Sequence, residues 1–251
     1  MTRRQWVGAL GSSVFAAGTV EELVLEAGTG RVVHSDFRAL QREPVGSLVK
    51  VFTALAYGAR NRNLFPLEVC AGASTGCWYA AGHGRVDLVA AIAVSCNSYF
   101  LGLARKVDHR DVAVVAANYG LAPPTVDSAE ARIGLGRGWV ESPEAFALGY
   151  LELARRRQEP GVGLVVEGLR QSARIGTAKA CGVGVMAKTG TSVCVHRPVM
   201  PGDGWALGMF PEDAPRYAVI VREHGVPGSV AAVRLAARIA ALWKGRKLRA
   251  S

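Results

Sequence analysis

A serine and a lysine three positions apart are the first residues of this chain whose types and spacing could do chemistry together. Ser47 and Lys50 both lie in the segment 46–50, just before an apolar run. If a helix begins at Ser47, the residue three places on returns to the same face, so the Lys50 amine comes within hydrogen-bonding reach of the Ser47 hydroxyl. A lysine kept partly neutral by burial can take the serine proton, and the helix N-terminus can hold an oxyanion. The pattern predicts a nucleophile and its base, although a serine that only caps a core helix fits it too.

Two later segments carry further polar side chains. Ser95 and Asn97 flank Cys96 within an apolar segment of helical period, residues 87–103. Alone, this Ser-x-Asn pattern is typical of a polar turn between helices. A predicted strand over residues 183–195 carries a second polar run, made of Lys188, Thr189, Gly190 and Thr191. The three segments in this order are much more specific than any one of them.

The order Ser-x-x-Lys, Ser-x-Asn, Lys-Thr-Gly is the motif set of serine β-lactamases and penicillin-binding proteins. On these residues the chain resembles a penicillin-binding transpeptidase domain. The resemblance runs from about Glu22 to the C-terminus and includes the less specific neighbours of each motif, in the segments 43–46, 82–88, 133–136 and 142–143. It implies an α+β fold, with an antiparallel five-stranded sheet flanked by helices. An all-helical lobe over approximately residues 60–180 would be inserted between the N- and C-terminal sheet segments of one domain, residues 21–251.

The resemblance also implies a role for each motif residue. Ser47 would be the nucleophile, Lys50 its base, and Ser95 a relay that passes a proton to the leaving amine. Asn97 would hydrogen-bond Lys50 and the substrate's backbone amide. Lys188 would supply positive charge for the substrate's terminal carboxylate, and the backbone N–H groups of Ser47 and Thr191 would hold the oxyanion. The other substrate-binding residues would be Thr189, Gly190 and Thr191. No metal and no cofactor is expected in this reaction.

The implied activity is that of a serine DD-transpeptidase or DD-carboxypeptidase, which acts on peptidoglycan stem peptides through an acyl-enzyme on Ser47. A β-lactam imitates this substrate and acylates the same serine. A serine β-lactamase of class D type is one alternative. Against the β-lactamases, Asn97 stands where class D enzymes usually have valine, and residues 141–144 do not match the Glu-x-x-Leu-Asn loop of class A. A non-enzymatic β-lactam sensor of the same fold is the other alternative, although such sensors usually have a membrane segment.

Periodicity and turn residues predict the elements that position these side chains. Two strands are predicted around a Gly-Thr-Gly turn over residues 23–35, and two more over residues 205–210 and 217–221. Helical spacing predicts a buried helix over residues 51–59 and a C-terminal helix over residues 229–243. Ser142 and Pro143 are typical of a helix start.

Five cysteines leave at least one thiol unpaired. If the chain is exported, Cys70 and Cys77 can close a small disulfide loop. Zinc binding is a less favoured interpretation, because no Cys-x-x-Cys is present and His83 is the only imidazole nearby. Unpaired buried thiols are a third possibility. Cys96 is expected to point away from the cleft, and His83 with Asp87 is interpreted as a turn or cap rather than a catalytic pair.

The first twenty residues are typical of an export signal. Arg3 and Arg4 precede an uncharged, moderately apolar run, so residues 1–20 resemble a twin-arginine signal. An N-terminal amphipathic helix packed on the domain is the alternative. No apolar run reaches the roughly 20 residues of a spanning helix. We therefore predict an exported, periplasmic or extracytoplasmic protein whose membrane contact is at most through this segment.

Composition limits the partners. The formal net charge is +10, from 30 cations and 20 anions, which favours attraction to an anionic cell wall. Basic and aromatic residues are not interleaved and no nucleic-acid motif is present, so a nucleic-acid partner is not predicted. The expected partners are peptidoglycan stem peptides and β-lactams, with a cell-wall synthesis protein as a further candidate.

Overall fold

The computed structural model describes residues 19–39, 41–195 and 198–247. Residues 1–18, which form most of the predicted twin-arginine segment, lie outside these ranges, so the export signal stays a prediction. A search of the described ranges finds no helix that combines the length and the apolar character needed to cross a bilayer.

The strands of the described ranges fall into one large and two small antiparallel sheets. In chain order they are β1 (Val20–Glu26), β2 (Val32–Ser35), β3 (Glu43–Pro44), β4 (Glu68–Cys70), β5 (Gly84–Val86), β6 (Val140–Glu141), β7 (Met186–Ser192), β8 (Asp203–Phe210) and β9 (Tyr217–His224). The large sheet has the order β2-β1-β9-β8-β7, and β3 pairs with β6 and β4 with β5. The predicted five-stranded antiparallel sheet is confirmed, and β7, which carries the Lys-Thr-Gly run, is its edge.

Eight α-helices lie in the described ranges, together with three short 3₁₀ turns. The helices are α1 (Lys50–Arg60), α2 (Leu88–Ala93), α3 (Asn97–Ala104), α4 (His109–Asn118), α5 (Ala129–Arg132), α6 (Pro143–Arg155), α7 (Val162–Arg174) and α8 (Gly228–Lys247). The 3₁₀ turns are Gly46–Val49, Gly72–Thr75 and Lys179–Cys181. The chain is therefore α+β, as predicted, while the division into a separate helical lobe stays a prediction.

The sheet separates two hydrophobic cores, because successive side chains of a strand point to opposite faces. On one face Val219 and Val221 of β9 pack with Leu235 of α8. On the other face Ile220 belongs to the large core that surrounds α1 and includes Phe52. Burial of α1 within that core fixes the direction in which its first residue, Lys50, points.

Two helix predictions at the motifs are wrong in detail. The chain turns first through the 3₁₀ turn Gly46–Val49, so the α-helix begins at Lys50 and not at Ser47. Residues 87–103 are not one helix either, since α2 ends at Ala93 and α3 begins at Asn97. In both places the motif residues lie where regular helix is interrupted, which exposes backbone groups that a continuous helix would use internally.

Candidate active site

Ser47 is fixed by the close approach of its 3₁₀ turn to the edge strand β7. Gly46 has φ +58°, and a Cβ on it would lie 2.5 Å from the Thr191 carbonyl oxygen. A Cβ on Gly190 would lie 2.5 Å from the Val45 carbonyl oxygen and 3.1 Å from the Ser47 nitrogen. Only glycine fits such contacts without displacing backbone. The two glycines therefore bring the Ser47 backbone against β7.

Lys50 is fully buried and contacts the segment between α2 and α3. Its amine donates to the Asn97 side-chain oxygen at 2.6 Å, to the Ser95 carbonyl oxygen at 2.9 Å and to the Ser95 hydroxyl at 3.4 Å. Burial lowers the pKa of Lys50 to about 7, and the nearby Cys96 and Cys77 oppose this shift only in part. A substantial fraction of the amine is thus neutral near neutral pH.

The hydrogen bond expected between Ser47 and Lys50 is not formed. Within the ranges that the structure describes, the Ser47 hydroxyl makes no hydrogen bond to the Lys50 amine. The physical reason is that three oxygens of Ser95 and Asn97 surround the amine. Catalytic hydrogen bonds are often incomplete without substrate, so this geometry leaves the base role open.

Ser95 occupies a strained turn between two helices. Its φ is +53°, a left-handed conformation that costs a non-glycine residue about 1–3 kcal/mol and is concentrated at functional sites. The side chain is buried, and its hydroxyl accepts hydrogen bonds from Lys188 at 2.8 Å and from Lys50 at 3.4 Å. Two amines thus converge on a single hydroxyl.

Lys188 is placed differently from the expected carboxylate-binding residue. Its amine is fully buried, donates to the Ser95 hydroxyl and to the Thr189 carbonyl oxygen, both at 2.8 Å, and does not line the cavity described below. Burial, followed by repulsion from Lys50, lowers the pKa of Lys188 well below its usual value. The hydroxyls beside it on β7 are better placed for a ligand.

The threonines of β7 reach neighbouring elements. The Thr189 hydroxyl donates to the Thr177 hydroxyl at 2.6 Å. The Thr191 hydroxyl accepts a hydrogen bond of 3.0 Å from the backbone N–H of Gly228, which is the first residue of α8. A Cβ on Gly228 would lie 2.2 Å from the Gly190 carbonyl oxygen, so α8 begins directly against the strand.

These elements enclose one cavity of about 210 Å³. The predicted residues Ser47, Ser95, Asn97, Thr189, Gly190 and Thr191 all line it, while Lys50 and Lys188 lie beneath its wall. Residues that sequence reasoning did not assign also line it: Trp78, Leu135, Thr177, Pro227, Gly228 and Ser229. Of these, Leu135 lies in a segment that carries the resemblance, whereas nothing in the sequence marked the others as part of the site.

Trp78 is the most informative of the additional residues. The residue is 56% exposed, although a large aromatic ring is usually mostly buried. The indole N–H donates to the Ser95 carbonyl oxygen at 3.1 Å and to the Val94 carbonyl oxygen at 3.3 Å, and the Ser95 oxygen also accepts from Lys50. Trp78 therefore forms a side wall of the cavity and supports the backbone of the strained serine.

Comparison with solved structures identifies the fold. Pseudomonas aeruginosa PBP2 in complex with WCK 5153 superimposes with a TM-score of 0.75 at 18% identity, covering 91% of this chain and 74% of that one. The D,D-transpeptidase domain of the peptidoglycan glycosyltransferase from Eggerthella lenta gives a TM-score of 0.72 at 17% identity, covering 93% of this chain and 79% of that one. The TP domain of Burkholderia pseudomallei penicillin-binding protein 3 gives a TM-score of 0.69 at 20% identity, covering 93% of this chain and 88% of that one. No protein-family model and no curated protein matches the sequence. The fold is therefore that of penicillin-binding transpeptidase domains.

Proposed function

We propose that this chain is a penicillin-binding serine acyltransferase that cleaves the D-alanyl-D-alanine bond of peptidoglycan stem peptides through an acyl-enzyme on Ser47. The observation that carries the proposal is the convergence of three distant segments on one cavity. Ser47, the Ser95–Asn97 turn and the β7 run all border it, with a buried amine of depressed pKa beneath. The solved structures of this fold include transpeptidase domains and peptidoglycan synthase complexes.

In the proposed reaction each of these groups has a separate role. The neutral form of Lys50 takes the Ser47 proton as the hydroxyl attacks the carbonyl carbon between the two D-alanines. The backbone N–H groups of Ser47 and Thr191, which lie where the 3₁₀ turn touches β7, are the proposed donors to the oxyanion. Collapse of the tetrahedral intermediate breaks the C–N bond and leaves an acyl-enzyme and D-alanine.

Ser95 is the proposed relay of the proton to the leaving nitrogen: it gives up its own proton and regains one from Lys50, which holds the proton taken from Ser47. A hydroxyl has two acceptor lone pairs and one proton, and two lysine amines donate to this one. Its own proton is therefore directed away from Lys50 and Lys188 and toward the cavity. Asn97 uses its oxygen for Lys50, so its NH₂ group is available to a carbonyl of the substrate backbone.

Binding of an extended peptide along β7 follows from the sheet. A strand at a sheet edge has backbone groups free to pair with an added strand. We propose that the Thr189 and Thr191 hydroxyls receive the terminal carboxylate, and that Lys188 acts through Ser95 rather than by direct contact. That the chain acts on stem peptides, reacts with β-lactams and is exported is part of the same proposal.

A β-lactamase is the second candidate, and the residues that line the cavity argue against the class A mechanism. Rapid release of the acyl group needs an activated water, for which class A enzymes use a glutamate. No carboxylate side chain lines this cavity in the described ranges. The class A route to deacylation therefore has no residue here, and the proposed acyltransferase should form a long-lived acyl-enzyme with a β-lactam.

The test is reaction of the protein with a labelled penicillin, followed by intact-mass and peptide mass spectrometry. One stable adduct on Ser47 is expected, and Ser47→Ala should abolish it with nearly unchanged thermal stability. Ser98→Ala, a variant of a half-buried serine beside the motif that does not line the cavity, serves as the matched control and should label normally. Labelling retained in Ser47→Ala would refute the assignment. Rapid multiple turnover of nitrocefin would instead favour the β-lactamase.

A further inference from the structure

The loop between β4 and β5, residues 71–83, folds tightly although it has almost no hydrophobic core. Only Gly72 and Cys77 are buried within it, and glycine contributes no side chain. A Cβ on Gly72 would lie 1.9 Å from the Ala80 carbonyl oxygen, so the loop closes on itself backbone to backbone. Small units without an adequate core commonly depend on a disulfide or a bound metal.

Four metal-binding side chains converge at the base of this loop. The His83 Nδ1 atom lies 3.5 Å from the Cys77 sulfur and 3.6 Å from the Cys70 sulfur. The Cys77 sulfur lies 3.9 Å from the Cys96 sulfur, and all four atoms are within 4.8 Å of one another. In a tetrahedral zinc site, bond lengths of about 2.3 Å to sulfur and about 2.0 Å to nitrogen place two sulfurs about 3.8 Å apart and a sulfur and a nitrogen about 3.5 Å apart. The three short distances match these values.

A disulfide between Cys70 and Cys77, one of the three alternatives that the sequence leaves open, is not formed. Both are free thiols, and so is Cys96. A disulfide would use two of the three sulfurs and leave the third facing an imidazole nitrogen. The convergence of three thiols and one ring nitrogen is instead the donor set of a structural zinc site.

We propose that Cys70, Cys77, His83 and Cys96 bind one structural Zn²⁺ ion. The cysteines are buried and His83 is half-buried. Four protein donors complete a tetrahedral shell, which leaves no position for substrate or water. The ion therefore serves structure, and the thiols bind it as thiolates after losing their protons to solvent.

A second cluster in the described ranges is a weaker candidate. Cys194, Asp203 and His224 provide three donors. The His224 Nδ1 atom is already 2.6 Å from the Asp203 carboxylate, so this nitrogen has a partner without a metal. The four-donor cluster is the one that the proposal concerns.

The proposed ion would tie the loop to the active-site motif. Cys96 stands between Ser95 and Asn97, and Trp78, which follows Cys77, donates to the Ser95 carbonyl oxygen at 3.1 Å. A metal bound to both cysteines would hold this strained turn from two sides. This consequence rests on the proposed function, whereas the metal site itself does not.

The test begins with the metal content of the full chain, purified without chelators from zinc-containing medium. Elemental analysis should find about one zinc per chain. Exchange for Co²⁺ should produce the visible absorption of a tetrahedral thiolate site without any mutation. His83→Ala and Cys96→Ser should reduce zinc to below about a tenth of the wild-type content. His83→Cys should retain it, because four cysteines are also a structural zinc set.

Two thiols outside the cluster provide matched controls. Cys181→Ser and Cys194→Ser each remove one cysteine and should leave one zinc bound. Metal-free protein with five titratable thiols would overturn the proposal, as would a disulfide detected as a mass lower by two hydrogens, or iron bound in place of zinc. Because zinc content is measured without a β-lactam, failure of this site is distinguishable from failure of Ser47 to label.

Discussion

The two walls of the cavity are held in place by different kinds of contact. In the sheet wall, where the turn Gly46–Val49 lies against β7, glycines allow backbone to touch backbone, as where Gly46 meets Thr191. In the helix wall, Ser95 and Asn97 occupy the break between α2 and α3 and are supported by the exposed Trp78 and a cluster of thiols. Steric contact between backbones changes little with pH or metal, whereas amines and thiolates respond to both. The proposed nucleophile, Ser47, is therefore held by contacts that do not titrate, whereas the residues proposed to transfer protons are held by groups that do.

Lys50 joins the two walls, and its removal should have the largest effect on acylation. Lys50→Met deletes the proposed base and should slow Ser47 acylation by about 10³-fold. Lys50→Arg keeps the positive charge but cannot become neutral, so it should be as slow. The measurement is the second-order rate of adduct formation with a labelled penicillin. An acylation rate in Lys50→Arg near that of wild type would remove the base role from this residue.

The pH profile sharpens the same prediction. Because burial lowers the pKa of Lys50 to about 7, the acylation rate should rise with pH below about 7 and level off above it.

The free energy of unfolding should also depend on the ionisation of Lys50. Between pH 7 and the usual lysine value of 10.5 the unfolded chain binds more protons, so the free energy of unfolding should rise with pH in this window. That rise should be smaller in Lys50→Met.

A side chain at Gly46 should disrupt the contact between the turn Gly46–Val49 and β7 and lower the free energy of unfolding. Gly46→Ala combines a left-handed φ with a Cβ placed 2.5 Å from a backbone oxygen, and should lower the free energy of unfolding by about 3 kcal/mol. Gly120→Ala is the matched control, because Gly120 has φ +71° but open space around it. It should cost only about 1 kcal/mol. Equal losses in urea unfolding would show that steric contact with β7 does not position the serine.

The sequence predicts the sheet wall better than the helix wall. Local patterns suffice for the strands: the turn glycines near residues 28–30 and the apolar run at 217–221 match β1, β2 and β9. The three motifs, through their resemblance to a known domain, also predicted that Ser47, Ser95 and the β7 run share one site. These features depend on residues close in sequence or on a recognisable order.

Features that depend on tertiary contact were not predictable. Nothing local indicates that Ser95 adopts a left-handed φ or that Lys188 turns inward to its hydroxyl. Thr177 and the start of α8 reach the cavity only because the sheet brings distant segments together. The sequence left disulfide, zinc and unpaired thiols open for the same reason, since spacing relates Cys70 to Cys77 but cannot show that Cys96 lies beside them.

The smallest expected effect tests the support of the helix wall alone. Trp78→Phe keeps an aromatic ring against the cavity but removes the N–H that the Ser95 and Val94 carbonyl oxygens share. Loss of this donor should lower the free energy of unfolding by about 1 kcal/mol and slow acylation by about fivefold, because Lys50 still donates to the Ser95 oxygen. Tyr79→Phe, on the neighbouring exposed ring, removes a hydroxyl that makes no hydrogen bond in the described ranges and should change neither value. If Trp78→Phe acylates as fast as Tyr79→Phe, the indole is only a wall and the turn is positioned by Lys50 and the thiol cluster.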